Sequence, residues 1–231
     1  MSALPLIVAF LIFAAFIVVW LRRKYQGSKA VARFASQHGL DYLGTSGVDV
    51  LGYNFPLLHR GSERGCTNVL VGRWRDLPVK EADYWYSDSM PDGNRGSAHF
   101  SIVIADLAVD VPYASIHKKT LLTKAAEHLG ADHVNFGSEE FNRKFQVTSP
   151  DTDFAVKLID AGMMRWLLSA GDRFGFEVAD NHLLVSSHPL RPAELPLLFN
   201  AAKSFTDHIP REVRADYGPT HPGGPPVSLG Q

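Results

Sequence analysis

The sequence has a single cysteine and no charged side chain before Arg22. With Cys66 alone, no disulfide can form within the chain, as expected for a protein of a reducing compartment. A lone thiol without a motif partner is more often a small buried hydrophobe than a nucleophile. These two absences argue against a disulfide-stapled secreted domain and direct attention to the uncharged N-terminus.

The sequence also lacks the common signatures of catalysis and nucleotide binding. It contains no GxSxG elbow and no HExxH pair, and the glycines Gly61 and Gly65 have neither Walker spacing nor a following lysine. None of the ten histidines forms an i, i+4 helical pair. The net charge of −1 gives no overall field that attracts nucleic acid. We therefore predict no catalytic residue, no cofactor or metal site and no nucleic-acid partner.

The longest apolar run extends over residues 4–21 and is followed at once by Arg22, Arg23 and Lys24. Leu, Ile, Val and Phe fill 13 of its 18 positions, which favours membrane insertion by about 4 to 8 kcal/mol. A cleavable signal peptide is the alternative, but the first three residues carry no basic side chain and no small-x-small site closes the run. A buried core helix is a weaker alternative, because the run has no polar face. We predict one transmembrane helix that contacts the lipid bilayer.

The orientation of this helix follows from the distribution of positive charge. Arg22, Arg23, Lys24, Lys29 and Arg33 all lie on its C-terminal side, and such residues tend to remain in the cytoplasm. We therefore expect a single-pass protein of the cell (inner) membrane with a cytoplasmic C-terminal domain. Whether the helix predicted from Ser28 continues the membrane helix is left open, since Gly27 is a plausible break.

Residues 28–210 have the pattern of one α+β domain, and residues 211–231 have that of a disordered tail rich in Gly and Pro. The links between strands are too short for crossover helices, so we expect an antiparallel sheet covered by helices on one side. The tail offers little apolar surface, so its deletion is expected to leave the thermal midpoint nearly unchanged.

The predicted elements follow from apolar periodicity and turn residues. In chain order they are a helix from Ser28 to about His38; a hairpin of Thr67 to Trp74 and Val79 to Tyr86 around residues 75–78; a loop over residues 87–97; a central strand from Ala98 to Leu107; a strand from Pro112 to His117; a helix from Leu121 to Leu129; a helical turn and strand over Ser138 to Val147; helices Asp151 to Ile159 and Gly162 to Ser169; a hairpin of Phe174 to Val178 and Leu183 to Ser186 around Asp180-Asn181; and a helix from about Ala193 to His208.

Two local features carry some chemistry. Glu81 and Asp83 project to the same face of a strand and could form an acid–base pair, although a solvated strand face explains them at least as well. We expect both to be solvent-accessible, so that their replacement costs no more than about 0.5 kcal/mol. Aromatic and charged residues alternate in residues 83–86 and 141–145, where packed rings are favoured over base stacking and exposed Tyr or Trp would suit a protein contact.

Several sequence blocks resemble an uncharacterised family of bacterial, mainly actinobacterial, single-pass membrane proteins. The blocks are Phe55-Pro56-Leu57, Asn68-Val69-Leu70-x-Gly72-x-Trp74, Asp83-Tyr84-Trp85-Tyr86, Ser138-Glu139-Glu140-Phe141-Asn142-Arg143-x-Phe145-x-Val147 and Met163-Met164-x-Trp166-Leu167-Leu168. The resemblance implies a membrane-tethered α+β domain and carries no activity or catalytic residue with it.

The leading functional hypothesis is a membrane-tethered binding or scaffolding module with an unknown protein partner. The main alternative is a membrane-anchored enzyme with an unrecognised site, built on Glu81 and Asp83. A third hypothesis is a lipid-headgroup sensor that uses the basic residues from Arg22 to Lys29. A deep pocket with convergent carboxylates would favour the enzyme, and a flat exposed aromatic patch would favour the binding module.

The charge asymmetry around residues 4–21 predicts the membrane topology. A cytoplasmic reporter fused after Gln231 should be active, and alkaline phosphatase fused at the same place should be inactive. Changing Arg22, Arg23 and Lys24 to Glu while adding lysines after Met1 should weaken or invert this preference. Active alkaline phosphatase on the unmodified chain would contradict the orientation.

Overall fold

The computed structural model describes residues 27–45, 49–89, 95–119, 133–170 and 173–218. Within these ranges, no helix is long and apolar enough to cross a membrane. The predicted span over residues 4–21 and the predicted helix from Leu121 to Leu129 lie outside the described residues, as do residues 219–231. The described residues form an α+β fold with an antiparallel sheet, as predicted.

Helices and strands alternate irregularly along the chain. Helix α1 covers the described residues 27–38 and ends at Gly39, whose φ of 68° is the left-handed conformation expected after a helix. The remaining elements are β1 (Asp41–Gly44), a 3-10 helix (Pro56–His59), β2 (Glu63–Trp74), β3 (Leu77–Ser89), β4 (Arg95–Lys118), β5 (His133–Val134), α2 (Glu139–Lys144), β6 (Phe145–Thr148), α3 (Thr152–Leu158), α4 (Ala161–Ala170), β7 (Gly175–Ser187), a second 3-10 helix (Pro192–Glu194), α5 (Leu195–His208) and α6 (Arg211–Tyr217).

The sheet has the order β1-β2-β3-β4-β6-β5, with β7 paired to β4, and every pairing is antiparallel. The hairpin predicted between β2 and β3 is confirmed. Its turn is formed by Arg75 and Asp76, whose φ values of 46° and 68° are those of a tight hairpin turn. Strand β3 ends later and strand β4 begins earlier than predicted. The two strands therefore include both ends of the segment that was predicted as a loop over residues 87–97.

Strands β4 and β7 turn back on themselves together. Ser101 to Asp106 pairs with Ser187 to His182, and Val111 to Ile116 pairs with Asp180 to Phe176, with residues 107–110 of β4 outside this register. A straight β7 would separate Gly175 and Ser186 by about 36 Å, yet a Cβ atom on Gly175 would lie 2.8 Å from the Ser186 hydroxyl oxygen. The strand therefore reverses near Asp180, which has a φ of 52°. The reversal predicted at Asp180-Asn181 is present. It lies within a single strand, β7, both halves of which pair with β4, instead of between two separate strands.

One face of the sheet is covered by the helices. Apolar side chains of β3, β4 and β7 pack here against the inner side of α5, whose predicted stripe of Leu195, Leu198, Phe199, Ala202, Phe205 and Ile209 is buried throughout. Phe199 stacks on Phe34 of α1 and on Trp74 of β2. The indole nitrogen of Trp74 donates to Asn200 of α5 at 3.0 Å. These contacts dock the first described helix against the last long one.

The short helices begin at polar caps that the sequence already indicates. The backbone N–H of Phe154 donates to the Asp151 carboxylate at 2.9 Å, and that of Met163 donates to Asp160 at 2.7 Å. Ser138 caps α2 in the same way. These caps confirm the predicted pair of helices after residue 150 and the predicted N-cap at Asp160.

The opposite face of the sheet is covered by the segment over residues 49–60 rather than by a helix layer. Phe55, Leu57 and Leu58 of this segment are buried against Tyr84, Ile102 and other residues of a second, smaller core. The Tyr84 hydroxyl donates to the Leu57 carbonyl oxygen at 2.9 Å. This covering leaves a cavity beside Leu57.

The ordered domain extends beyond residue 210, so the predicted tail boundary is wrong. Helix α6 buries Val213 completely, and Tyr217 meets the Phe154 ring edge to face at 5.3 Å. Lys157 of α3 donates to Asp216 at 2.6 Å. No sequence pattern indicated α6, because this helix buries a single valine and therefore has no apolar stripe.

Two truncations test this boundary. Removing residues 211–231 should cost roughly 1.5 to 3 kcal/mol, since Val213 loses its burial. Removing residues 219–231 should leave the free energy of unfolding unchanged, because that segment has little apolar surface to bury. Both are measured by chemical denaturation of the full chain and its truncated forms. Equal midpoints for the two truncated forms would contradict a structural role for α6.

Candidate functional site

The expectation that both carboxylates are solvent-accessible is wrong for Glu81, and Asp83 is only partly exposed. Glu81 is 1% exposed, and Asp83 is half-buried. Both lie on the helix-covered face of β3, where Glu81 is paired with Val103 and Asp83 with Ser101. The sequence could not reveal this burial, because the alternation within β3 does not show which face the helices cover.

Asp83 belongs to a hydrogen-bonded cluster at the border of a second cavity, which His99 also lines. Asn68 donates to one of its carboxylate oxygens at 2.8 Å, and Ser101 donates to the other at 3.3 Å. Tyr42 in turn donates to Asn68 at 3.1 Å. Asn68 has a φ of 55° at a bulge in β2, which places its amide over β3. The cluster fastens β1, β2, β3 and β4 to one another.

Glu81 has no such support. Its Oε2 atom is buried and has no hydrogen-bond partner within the described residues. Burial, reinforced by the neighbouring charge of Asp83, raises the pKa of Glu81 well above its usual range. Burial also raises the pKa of Asp83, against the lowering effect of its bonds to Asn68 and Ser101. A carboxyl group sealed in this way cannot reach a substrate, so the pair is a poor basis for the enzyme hypothesis.

The remaining candidates from the sequence are structural. Burial raises the pKa of Cys66 to about 12, so this residue is a thiol at neutral pH. The Asn142 amide accepts a hydrogen bond from the backbone N–H of Phe136 and donates one to its carbonyl oxygen. Phe141 and Phe145 stack on each other in the core. Their rings are therefore unavailable for base stacking. Within the described ranges, no three His, Cys, Asp or Glu side chains converge in a geometry that could hold a metal ion.

A cavity of about 290 Å³ opens on the face of the sheet opposite the helices. We call it the sheet cavity. It lies where the reversal of β4 and β7 brings both halves of these strands beside the segment that carries Leu57. Its lining residues are Leu57, Arg60, Tyr86, Ala98, His99, Phe100, His117, Arg173, Gly175, Glu177, Ser186, Ser187 and His188.

Polar groups of β4 and β7 meet at Glu177 in the sheet cavity. Glu177 is 3% exposed, and its Oε2 atom accepts from the Tyr113 hydroxyl at 3.3 Å. Its Oε1 atom lies 3.9 Å from Nε2 of His117. The backbone N–H of Leu57 also donates to this carboxyl group. Glu177 thus joins the reversed strands to the covering segment.

Burial keeps these groups close to neutrality. It raises the pKa of Glu177 to about 7, with Arg60 acting in the opposite direction. Burial, assisted by the positive charge of Arg60, lowers the pKa of His117 to about 4. Between these values, His117 is uncharged and Glu177 is mostly protonated. The polar part of the sheet cavity then presents neutral donors and acceptors.

Gly175 keeps the polar part of the sheet cavity open. A Cβ atom at this position would lie 2.6 Å from Nδ1 of His117 and 2.8 Å from Oγ of Ser186. Any side chain would displace one of these groups or the strand itself. Glycine is therefore required by the close approach of the two halves of β7.

The sheet cavity has an apolar wall and two arginines among its more exposed lining residues. Tyr86 and Phe100 stack with their ring centroids 6.0 Å apart and an interplanar angle of 13°. Arg173 and His188 are exposed, and Arg60 is half-buried. Tyr84 is buried, as expected for packed rings, and the half-buried Tyr86 lines the cavity wall.

No motif or periodicity of the sequence pointed to the lining residues of the sheet cavity. One signal was present, since Glu177 is an acidic residue inside the apolar stretch Phe174-Gly175-Phe176-Glu177-Val178. An acidic side chain in a buried strand needs a partner or a ligand. The convergence of Leu57, Phe100, His117 and Glu177 depends on sequence separations of 17 residues or more and has no local signature.

The unpartnered acid Glu81 predicts a pH-dependent stability. Its folded pKa lies above its unfolded value, so its contribution is complete below the unfolded pKa of about 4.3 and is lost as the pH rises. Glu81→Gln should therefore gain stability relative to the wild type as the pH is raised from 5 to 8. Urea denaturation at each pH measures this difference.

The matched control for this experiment is Glu140→Gln on exposed α2, which should stay within about 0.5 kcal/mol of the wild type at every pH. A difference between Glu81→Gln and the wild type that does not change with pH would show that Glu81 is ionised in the folded state.

The comparisons with known proteins bear on the fold alone. No family model matches the chain, so the resemblance to the actinobacterial family remains an expectation, and no curated protein matches it. A similar solved structure is the crystal structure of the mycobacterial trehalose monomycolate transport factor A, TtfA. The similarity has a TM-score of 0.61 at 17% sequence identity and covers 78% of this chain and 93% of that chain. The chain has a fold similar to that of TtfA over most of its length.

Proposed function

We propose that this protein is a membrane-tethered binding module that holds the polar end of a lipid in the sheet cavity. In this proposal, residues 4–21 span the cell membrane and the α+β domain that begins near residue 28 lies on its cytoplasmic side. The tether keeps the domain within reach of the bilayer, which raises the effective concentration of membrane lipids at the cavity.

The observation that carries the proposal is the amphipathic character of the sheet cavity. Tyr86 and Phe100 form an apolar wall, whereas the half-buried His117 and the buried Glu177 supply polar groups that are close to neutrality. A concave site with a mostly apolar lining and a few polar groups is the usual form of a small-molecule site. The transport factor with a similar fold is named for a lipid, trehalose monomycolate, which favours a lipid over other ligands.

The scaffolding hypothesis has less support. Val156 and Leu197 are the large apolar side chains with high exposure within the described residues, at 51% and 43%. They lie on α3 and α5 and do not involve the aromatic strand on which the contact hypothesis rested. A protein partner is compatible with lipid binding, but the two exposed apolar side chains give no specific support for one.

The enzyme hypothesis moves from Glu81 and Asp83 to His117 and Glu177, an acid and a base that both border the sheet cavity, whereas Glu81 borders none of the cavities described. A general acid–base pair requires groups that exchange protons near neutral pH. Glu177 meets this condition, whereas the pKa of His117 lies well below neutrality. Binding is therefore favoured over catalysis.

Filling the sheet cavity tests the proposal. Ala98→Trp places an indole against the space between Tyr86 and Phe100, and we expect the lipid that co-purifies with the full chain to fall by roughly tenfold, since the added volume cannot be absorbed. Mass spectrometry of lipid extracts from equal amounts of purified protein measures the loss.

Ala108→Trp is the matched control, because Ala108 is an exposed position on the same strand, outside the cavity lining. It should retain the lipid content of the wild type. Equal lipid content in the two variants, with a stoichiometric protein partner in both, would reject the lipid hypothesis and favour a scaffold.

A further inference from the structure

We infer that the sheet cavity selects an uncharged, polyhydroxylated headgroup, a sugar, over an anionic headgroup. This inference rests on the proposed function and specifies which part of a lipid the cavity holds. It is carried by the arrangement of His117, Glu177 and Ser186 opposite Tyr86 and Phe100 in one cavity.

The polar lining matches the hydrogen-bonding capacity of hydroxyl groups. A sugar hydroxyl donates one hydrogen bond and accepts others, so its best partners can do both. The Ser186 hydroxyl, a neutral His117 ring and a protonated Glu177 carboxyl each provide a donor and an acceptor. Gly175 leaves His117 and Ser186 free to approach the same small volume.

The charges in the sheet cavity disfavour a buried anion. Glu177 is the most deeply buried ionisable group there, and both it and His117 are neutral, so neither would compensate the desolvation of a phosphate or carboxylate bound beside them. Arg60 is half-buried and Arg173 is exposed, so solvent screens the attraction of both side chains for an anion.

The aromatic wall and the size of the cavity agree with a sugar. The stacked rings of Tyr86 and Phe100 offer an apolar surface for the C–H face of a sugar ring. A volume of about 290 Å³ lies at the lower limit of roughly 300 Å³ for small-molecule sites. It can enclose a headgroup but not a long acyl chain, which would remain outside, in the bilayer.

Ligand-observed NMR on the full chain in nanodiscs of phosphatidylcholine tests the inference. The probes are trehalose and methyl phosphate, each added separately at pH 6.5. Saturation transfer should be seen for trehalose and should be at least tenfold weaker for methyl phosphate. Phe100→Ala should reduce the trehalose signal by about tenfold, because it removes half of the aromatic wall.

Phe136→Ala is the matched control, since Phe136 is half-buried at a distance in the chain and outside the cavity lining. It should retain the trehalose signal of the wild type. Thermal midpoints of both variants separate loss of binding from loss of folding, and Tyr86→Leu provides a second test of the wall if Phe100→Ala does not fold.

The outcomes distinguish this inference from the proposed function. A methyl phosphate signal that exceeds the trehalose signal and disappears in Arg60→Ala would overturn the sugar inference while leaving a lipid site in place. Absence of both signals, with lipid still displaced by Ala98→Trp, would show that the cavity binds the apolar part of the lipid. If Ala98→Trp displaces no lipid either, the proposed function fails together with this inference.

Discussion

The reversal of β4 and β7 is the constraint on which the rest of the architecture depends. A left-handed backbone at Asp180 turns β7 back, and β4 follows because it stays paired to both halves. One face of the folded pair provides the core for α5, and the other face brings Phe100 near His117 and Glu177. Gly175 permits the close approach that this geometry requires. Without the reversal, the cavity lining would be spread along the sheet.

Two buried glutamates show how access decides the role of an ionisable group. Burial raises the pKa of both Glu81 and Glu177. Glu81 lies under the helices, and one of its oxygens has no hydrogen-bond partner among the described residues, so the protonated form is favoured. Glu177 accepts bonds from Tyr113 and Leu57 and lines a cavity. Its proton is therefore available to a ligand. The side chain is the same in both cases, and the layer that covers it differs.

The similarity to TtfA acquires meaning only in combination with the site. At 17% identity it supports the fold and leaves the chemistry to the side chains of this chain. Those side chains form an apolar wall and a nearly neutral polar lining in a small cavity that Arg60 and Arg173 also border. The proposed membrane tether at residues 4–21 would present this cavity to lipids that the bilayer already concentrates.

The sequence by itself determined the local elements, because caps and periodicity are local. Asp151 and Asp160 marked the starts of α3 and α4, the stripe of α5 was read correctly, and Arg75-Asp76 gave a hairpin. The apolar run over residues 4–21 likewise determined the prediction of a membrane span, and the charge distribution that of its orientation. Only the tertiary structure decided which face of β3 is covered, and so whether Glu81 is buried or exposed. It also brought Leu57, Phe100, His117 and Glu177 together in one cavity. These residues are far apart in the sequence, so no local periodicity indicates that they meet.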